Sequence, residues 1–460
     1  NELIANHDFA GYEKAELTRK LTSWRPFKHT STDWFDPEWM FGVKDGFDIV
    51  MGNPPYVRIS GIPEEEDLLI RKSYETVFGH YDLYIPFFER GIKLLNSKGI
   101  LAYITPNKYL IKRYGNKLRP YILENTYIAE LIDISKARTF DGVSVYPVIS
   151  ILTKSKTSDE IKVSVLDDGT FIPYFETKSV NYCYSLNQDS FLVNKNKIFD
   201  IFIDEGSRGL FEKIRMTTKP LSQFARVLTG TPAINKYYEW DKLLFDGSKS
   251  SQIDLSNTQK VLRFINVSNV KPYFIEWGKE IRAVGNRISN PYLTYDKELV
   301  GANKWDVFQR NKIVIKGNSK RLTAAYDWIG YANLSLYAVI FIKNHEDINR
   351  TYYYLALLNS ELLNYWYCKK FGSGNISGGY ISFNGIYLEQ IPIIEFGNNI
   401  TIDISNSVKE IIEFTKNKIL SNDSSKQSNV NKLMKQIDQM VYKLYELSKE
   451  EIRIVEGKNE

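Results

Sequence analysis

Cysteine and histidine are scarce in this chain of 460 residues, which contains two cysteines and four histidines. Cys183 and Cys368 are too few for the disulfide framework of a secreted protein, which favours the reducing cytoplasm. The histidines lie far apart, and no Cys/His cluster has the spacing of a zinc site. We therefore expect no metal site within this chain.

Long apolar runs are also missing, since no segment approaches the roughly 18 to 20 apolar residues that a membrane span needs. Apolar residues make up 43% and charged residues 25%, which is typical of soluble globular proteins. The net charge of +5 is too mild to identify a polyanionic partner by itself. The chain opens with Asn1 rather than methionine, so we expect it to be a fragment of a longer protein.

The first part of the chain, up to about residue 156, alternates short β-rich runs with helix-patterned segments. This alternation predicts a doubly wound α/β sheet. Strands are predicted at 47–51, 99–105, 128–134 and 146–153, with a crossover helix in YDLYIPFFERGIKLLNSKG between the first two.

The rest of the chain shows two further sequence patterns. From about 219 to 397, short strands broken by Gly, Asn and Pro are rich in Tyr and Trp, which predicts a separate α+β domain. After 398 a helical period dominates, Ser448 and Glu451 form a predicted capping box, and the polar run 421–431 is predicted to be a flexible loop. We predict domains at 1–204 and 205–397, with a helical segment, 398–460, that packs on the second.

The most informative stretch is FDIVMGNPPY, in which an apolar strand breaks into Asn-Pro-Pro-Tyr at 53–56. Ligands of open α/β sheets bind beyond the carboxyl ends of the strands. Two prolines stiffen the backbone, and the Asn53 amide oxygen beside the Pro54 carbonyl provides two acceptors for the hydrogens of an exocyclic amine. These two hydrogen bonds would align the lone pair of the amine nitrogen for attack without a general base.

Tyr56 then supplies a flat face that can stack on the ring carrying that amine. Adenine and cytosine both fit, and neither can be reached inside a duplex unless the nucleotide is flipped out, so a second stacking face should exist. The alternative is that Asn-Pro-Pro-Tyr is only a turn, because Asn and Pro are common turn formers.

Several segments together resemble one family. They are FDIVMGNPPY, YDLYIPFFERGIKLLNSKGILAYITPNKYL, RTFDGVSVYPVISIL, FQRNKIVIKG and LLNSELLNYWY. These segments resemble the gamma-class DNA adenine-N6 methyltransferases, particularly those fused in single-chain restriction-modification enzymes. The resemblance implies a partial Rossmann-like methyltransferase sheet, a target-recognition domain at 205–397, S-adenosyl-L-methionine as cofactor and double-stranded DNA as partner.

The same resemblance implies roles for the residues that bind the target base. Asn53 and the Pro54 carbonyl would accept hydrogen bonds from adenine N6, and Tyr56 would stack on the flipped base. Phe140, in RTFDGVSVYP, matches the aromatic residue that closes the other face of the base. Phe140 could instead be a hydrophobic plug before a turn.

Three further residues would contact the cofactor on the strength of the resemblance. Pro55 would lie close to it, and Phe87 would touch its adenine, although an apolar helix face leaves a core role open for Phe87. Asp36 would meet the cofactor's adenine amine; Asp33 competes for that role, and Asp36 could be a helix N-cap before Pro37.

The chain also departs from the family. The glycine-rich loop that cradles the methionine part of S-adenosyl-L-methionine, and the acidic residue that binds its ribose, should precede Asn53 by many tens of residues. Only 52 residues precede Asn53, so we expect the first strands to lie outside this chain and the chain to bind cofactor poorly or not at all. A nuclease using Mg²⁺ would lie further upstream.

The basic stretch RNKIVIKGNSKR, at 310–321, alternates isoleucines with Lys312 and Lys316, which predicts a strand with one buried and one cationic face. Its alternative is a solvated edge strand protected by lysine. Within a recognition domain we favour DNA contacts. The predicted DNA-binding residues are Arg310, Lys312, Lys316, Lys320 and Arg321.

Taken together, the sequence predicts methylation of adenine N6 in a specific DNA sequence, with S-adenosyl-L-methionine as donor, by part of a restriction-modification enzyme. A different class of hypothesis is a catalytically silent DNA-binding specificity module. A third is a methyltransferase acting on RNA or on a protein amide.

Overall fold

A computed structural model describes the chain at 19, 23, 37–137, 146–158, 160–178, 180, 182–203, 205–230, 238–249, 256–257, 259–342, 347–371, 380–416 and 424–457. The chain divides into two compact units: the first contains the described residues up to 137 and residues 147–198, and the second contains Tyr146 and the described residues from Phe199 onward. Each unit has its own sheets and its own buried residues, so each is described separately.

The first unit is built on a mixed sheet. Its described elements are α1 (Pro37–Phe41), β1 (Phe47–Gly52), α2 (Glu64–Ser73), α3 (Tyr84–Leu94), β2 (Leu95–Pro106), α4 (Leu118–Asn125), β3 (Tyr127–Lys136), β4 (Pro147–Thr153), β5 (Glu160–Asp167), α5 (Phe171–Thr177) and β6 (Tyr182–Asn187). Among the described residues the sheet has six strands in the order β1-β2-β4-β3-β5-β6.

The pairing in this sheet confirms the predicted α/β fold and all four predicted strands. β1 runs parallel to β2 and β3 runs parallel to β5, whereas β4 is antiparallel to both β2 and β3. β6 closes the described sheet antiparallel to β5. Four of these six strands therefore point the same way, and the carboxyl ends of β1 and β2 meet at one edge.

Helix α3 is the crossover between β1 and β2, and it packs on both strands. Its buried face contains Ile85, Phe88 and Ile92. A glycine at 91 permits the close approach, because a Cβ atom there would lie 2.5 Å from the Tyr103 hydroxyl oxygen and 2.6 Å from Leu101 Cδ1. The helix is thereby held against β1, which leads into the Asn-Pro-Pro-Tyr segment, and against the neighbouring strand β2.

The second unit consists of small sheets and helices. Its strands are β7 (Lys219–Pro220), β8 (Ala225–Thr229), β9 (Leu244–Asp246), β10 (Val261–Ile265), β11 (Ile281–Ala283), β12 (Asn286–Ile288), β13 (Pro291–Thr294), β14 (Lys312–Lys316), β15 (Asn318–Ser319), β16 (Ala324–Asp327), β17 (Ala332–Asn333), β18 (Leu336–Phe341), β19 (Ile381–Ser382) and β20 (Pro392–Ile393). Its helices are α6 (Glu205–Thr217), α7 (Ala302–Gln309), α8 (Ile348–Asn359), α9 (Glu361–Phe371), α10 (Gly385–Leu388), α11 (Asn399–Lys416), α12 (Ser424–Leu444) and α13 (Lys449–Glu456).

Two of the described sheets in this unit have four strands, in the orders β17-β10-β13-β9 and β16-β14-β18-β8. A buried cluster around Trp240, Phe264 and Trp305 covers the first sheet. β14 lies inside the second sheet, antiparallel to β16 on one side and β18 on the other. A strand with neighbours on both sides is not an edge strand, which excludes the alternative considered for the basic stretch.

The last helices belong to the second unit, where α11 packs on α8 and α12 contacts α9. The predicted capping box is present at Ser448 and Glu451. The predicted loop at 421–431 is wrong over its described part, because α12 begins at Ser424 and Val430 is buried. The finer division into 1–204, 205–397 and 398–460 stays a prediction.

Candidate active site and basic cleft

The Asn-Pro-Pro-Tyr segment leaves the sheet at the carboxyl end of β1. Gly52 is in register with Tyr103 of the parallel strand β2, so the segment begins beside Ile104. Asn53 and Pro55 are exposed, whereas Pro54 between them is buried. Within the described part of the chain, the Asn53 amide makes no hydrogen bond, and its oxygen and nitrogen are available to a ligand.

Tyr56 is fixed from two sides. Its hydroxyl donates a hydrogen bond to the Ile104 carbonyl oxygen at 3.3 Å. Its ring meets the Tyr84 ring edge-on, with 6.5 Å between centroids and 82° between planes. Burial raises the pKa of Tyr56 to about 12, so the hydroxyl remains protonated at neutral pH. The ring therefore stands in a defined orientation, three residues after the exposed Asn53.

The chain after Tyr56 is tied to the start of α3. Leu83 N–H donates to the Val57 carbonyl at 2.8 Å, and Ile59 N–H donates to the Tyr81 carbonyl at 3.0 Å. These two hydrogen bonds hold residues 57–59 against residues 81–83. The loop after Tyr56 is therefore fixed to the start of α3.

Phe87 lies on α3 with 43% of its surface exposed, while Pro86 and Phe88 beside it are buried. The core role left open for Phe87 is therefore wrong, because its ring is on the solvent side of the helix. Its carbonyl accepts a hydrogen bond from the Tyr103 hydroxyl at 3.4 Å, and Tyr103 is the register partner of Gly52. Phe87 is thus connected to the strand end that carries Asn53.

A tyrosine network beneath Tyr56 was not predicted from the sequence. The Tyr84 and Tyr114 hydroxyls share a hydrogen bond of 2.7 Å, and the Tyr114 hydroxyl donates to Asp82 Oδ2 at 3.2 Å. Burial raises the pKa of both tyrosines and of the Asp82 carboxyl. The only sequence signal was YDLY itself, which supplies Asp82 and Tyr84 but not their distant partner.

Two buried polar side chains follow on the neighbouring strand end. Thr105 is 0% exposed and Asn107 is 1% exposed. Neither the Thr105 hydroxyl nor either polar atom of the Asn107 amide has a hydrogen-bond partner among the described residues. Buried polar groups are nearly always satisfied, so these orphaned atoms mark a place where water or a ligand completes the hydrogen bonds.

Two predicted site residues, Asp36 and Phe140, lie outside the residues that the structure describes. Their roles, and the competing assignment of Asp33, stay predictions. Among the described residues, no group of three or more His, Cys, Asp and Glu side chains is arranged to hold a metal ion. The described helices also include none that is long and apolar enough to span a bilayer.

The predicted cationic face on β14 is wrong at Lys312. All of β14 except Lys316 is buried, and the Lys312 side chain is 0% exposed. Its ammonium group lies 2.5 Å from Asp327 Oδ2 and also donates to the Phe308 carbonyl. A lysine enclosed in this way presents nothing to a DNA phosphate, so Lys312 is removed from the expected DNA contacts.

Of the other four predicted basic residues, two are ion-paired with acidic residues and two are not. Arg310 pairs with Asp306 at 2.6 Å, and Arg321 pairs with Glu361 at 2.7 Å. Lys316 and Lys320 make no ion pair with any described residue and line a cleft of about 580 Å³. This basic cleft is also lined by Arg282, Asn266, Asn318 and Tyr380.

Comparison with known proteins relates both regions to one group of enzymes. Residues 2–140 match the Eco57I restriction-modification methylase family, and residues 262–393 match the TaqI-like C-terminal specificity domain. One region of the chain is therefore similar to restriction-modification methylases and another is similar to TaqI-like specificity domains. The resemblance drawn from the sequence is therefore confirmed, with Asn53 in the methylase region and the basic cleft in the specificity domain.

Individual relatives of the chain are also type II methyltransferases. The type II methyltransferase M.HincII of Haemophilus influenzae is 23% identical over 422 residues, covering 80% of this chain and 79% of that protein. M.BstVI of Geobacillus stearothermophilus is 38% identical over 115 residues, which is 25% of this chain and 20% of that protein. The matches thus span about a fifth of M.BstVI, and 16% of RM.Eco57I from Escherichia coli.

A solved structure supports the fold. The type IIL restriction-modification enzyme MmeI, determined in complex with DNA, superposes with a TM-score of 0.54 at 13% sequence identity. The superposition covers 88% of this chain and 56% of that chain. At this identity the likeness concerns the fold of the chain.

Proposed function

We propose that this chain is part of an S-adenosyl-L-methionine-dependent DNA methyltransferase that methylates adenine N6 within a specific sequence. The observation that carries the proposal is the exposed Asn53 amide, without a hydrogen bond to the described protein, at the carboxyl end of β1. It stands beside a Tyr56 ring that is held in place by its own contacts. The match to type II methyltransferases supports DNA as the substrate.

The chemistry follows from the acceptors at this strand end. The Asn53 oxygen and the Pro54 carbonyl accept the two hydrogens of the exocyclic amine, which draws electron density toward nitrogen and orients its lone pair. The Tyr56 ring stacks on the base, which must leave the duplex to reach it. A neutral amide and a protonated phenol contribute no base, so the amine nitrogen, once methylated, loses its proton to water.

The cofactor fits the residues on one side of this site. Phe87 offers an exposed aromatic face on a helix whose Ile85, Phe88 and Ile92 are buried, and Pro55 is exposed two residues after Asn53. The orphaned polar atoms of Thr105 and Asn107 occupy the adjoining strand end. When bound, S-adenosyl-L-methionine supplies an electrophilic methyl group. The glycine-rich loop, an upstream nuclease and its Mg²⁺ stay predictions about chain outside these residues.

The test is transfer of labelled methyl to duplex DNA by the complete reading frame, with identification of the product nucleoside. We expect 6-methyladenine, and a loss of about 100-fold or more in kcat for Asn53→Ala because a hydrogen bond at the reacting group is removed. Asn96→Ala is a matched control, since Asn96 is a half-buried amide that donates a hydrogen bond to Asp48 near the other end of β1.

Three results would contradict the proposal. Methylated cytosine as product would refute adenine as the target, and an unchanged rate in Asn53→Ala would remove the segment from catalysis. If the complete frame binds DNA but transfers no methyl group to DNA, RNA or protein, the silent specificity module replaces it.

A further inference from the structure

The basic cleft carries positive charge that the protein itself does not neutralise. Arg282 and Lys320 are exposed and Lys316 is half-buried, and the described residues that line the cleft include no aspartate or glutamate. None of the three cations makes an ion pair with a described residue. Elsewhere in the same unit cations are paired, as in Arg287 with Glu280 at 3.4 Å.

The surroundings increase this repulsion. Burial, followed by the neighbouring Lys271 ammonium, lowers the pKa of Lys316. Arg282 is also in direct register with Arg287 across the β11–β12 hairpin. Like charges opposite one another on paired strands destabilise the pair. A concentration of unpaired cations around a cleft is therefore a cost to the free protein that a bound polyanion would offset.

The placement of the cations suits a chain of phosphates better than a single small anion. Arg282 comes from β11, Lys316 ends β14 and Lys320 follows β15, so the charges come from three separate elements. Neutral hydrogen-bonding groups lie between them, including Asn318, whose amide makes no hydrogen bond to a described residue. Tyr380 is 45% exposed beside Lys320, whose ammonium lies 5.9 Å from the ring centroid.

We propose that the basic cleft binds the phosphodiester backbone of DNA through Arg282, Lys316 and Lys320. This proposal rests on the proposed function only in taking DNA as the polyanion. Backbone contacts of this kind fix the register of a recognition domain on the duplex, while base contacts give specificity. Arg282 is far from the basic stretch in sequence, so the cleft adds a residue that no sequence motif indicated.

The experiment measures the dissociation constant for fluorescent duplex DNA by anisotropy, at several salt concentrations, with the complete reading frame. Arg282→Ala, Lys316→Ala and Lys320→Ala should each raise Kd by about 3- to 10-fold and lower the slope of log K against log salt by about 1. Lys219→Ala is the matched control, because Lys219 is exposed in the same unit and paired with Glu395. It should change Kd by less than about twofold and leave the slope unchanged.

The outcomes separate this proposal from the proposed function. Wild-type Kd and slope in all three variants would overturn the cleft assignment, even if methyl transfer to adenine is intact. If these substitutions abolish the binding of inorganic phosphate and leave the affinity for DNA unchanged, the cleft is a small-anion site. That result would also overturn the proposal. If Lys316→Ala fails to fold, Arg282→Ala and Lys320→Ala decide, since both side chains are exposed. Conversely, a loss of DNA affinity and slope in a protein that transfers no methyl group would support the cleft and refute the methyltransferase.

Discussion

The two candidate sites of this chain differ in how they treat charge. At the end of β1 the groups offered to a ligand are an amide, a proline carbonyl and the ring of a tyrosine whose pKa is raised to about 12. In the basic cleft the groups are three cations, and no acidic residue lines the cleft within the part of the chain that the structure describes. One site is neutral at physiological pH, and the other is strongly positive.

The difference in charge determines which chemical groups each site can recognise. A neutral amide and an aromatic ring match a nucleobase, which is flat and uncharged and carries an exocyclic amine. Unpaired cations match phosphates, whose binding releases counterions and therefore depends on salt. Substitutions at Asn53 should then change the rate of methyl transfer with little effect on the salt dependence of binding, and substitutions in the cleft should do the reverse.

We expect the largest effect on stability from Lys312, and only a small one from Lys316 on the same strand. Lys312→Met leaves Asp327 buried without its partner, so the free energy of unfolding of the second unit should fall by about 3 to 5 kcal/mol. Lys316→Met should cost little stability and weaken DNA binding. Urea unfolding followed by circular dichroism, together with anisotropy, compares the two.

A stable Lys312→Met protein with a reduced salt slope would reverse this assignment and restore Lys312 as a DNA contact. Lys242→Met is the control for loss of one exposed charge, because Lys242 is 74% exposed and pairs with Glu239 at 3.8 Å. It should change neither the midpoint of unfolding nor the slope of binding by a measurable amount.

Lys312 also illustrates what the sequence could and could not predict. An alternation of Ile and Lys predicts a two-faced strand, but β14 has neighbours on both sides and a covered second face. The lysine is tolerated because Asp327 is its register partner on β16. Asp327 in turn accepts N–H bonds from the following turn, at residues 329–331. No local pattern contains that partnership.

Local signals predicted the rest more successfully. The strand before Asn53, the crossover helix and the Ser448–Glu451 capping box depend on neighbouring residues, and each is present. The polar run at 421–431 was misjudged because a helix needs only one apolar face, and Val430 supplies part of it to α12. Arg282 and Tyr114 could not be found because each reaches its site through long-range pairing of the chain.

The buried carboxyl of Asp438 on α12 should make the stability of the second unit depend on pH, with an effect of intermediate size. Burial raises its pKa to about 6, and the negative charges of Glu361 and Glu456 act in the same direction against Arg321. An acid with a higher pKa in the folded state binds its proton more tightly there. The free energy of unfolding should therefore fall by about 2 to 3 kcal/mol as pH rises from about 4 to about 6.

Asp438→Asn should remove this pH dependence from the second unit, because the amide cannot ionise. Its stability, measured by urea unfolding at pH 4 and pH 7, should differ less between the two pH values than that of the wild type. An unchanged difference would assign the dependence to another group. Neither the cleft nor Asn53 is involved, so methyl transfer at a given pH should be preserved.

The smallest effect tests whether the Tyr56 ring or its hydroxyl matters at the neutral site. Tyr56→Phe keeps the aromatic face and loses the hydrogen bond to the Ile104 carbonyl, so stability should fall by about 0.5 to 1.5 kcal/mol and methyl transfer by no more than about threefold. Tyr56→Ala should lower methyl transfer by about 10- to 100-fold, since base stacking is worth about 1 to 3 kcal/mol. Because the pKa of Tyr56 is about 12, the pH–rate profiles of wild type and Tyr56→Phe should coincide below about pH 10. A profile that loses an ionisation in Tyr56→Phe would make the hydroxyl an acid or base, and the contrast between a neutral catalytic site and a charged binding cleft would then fail.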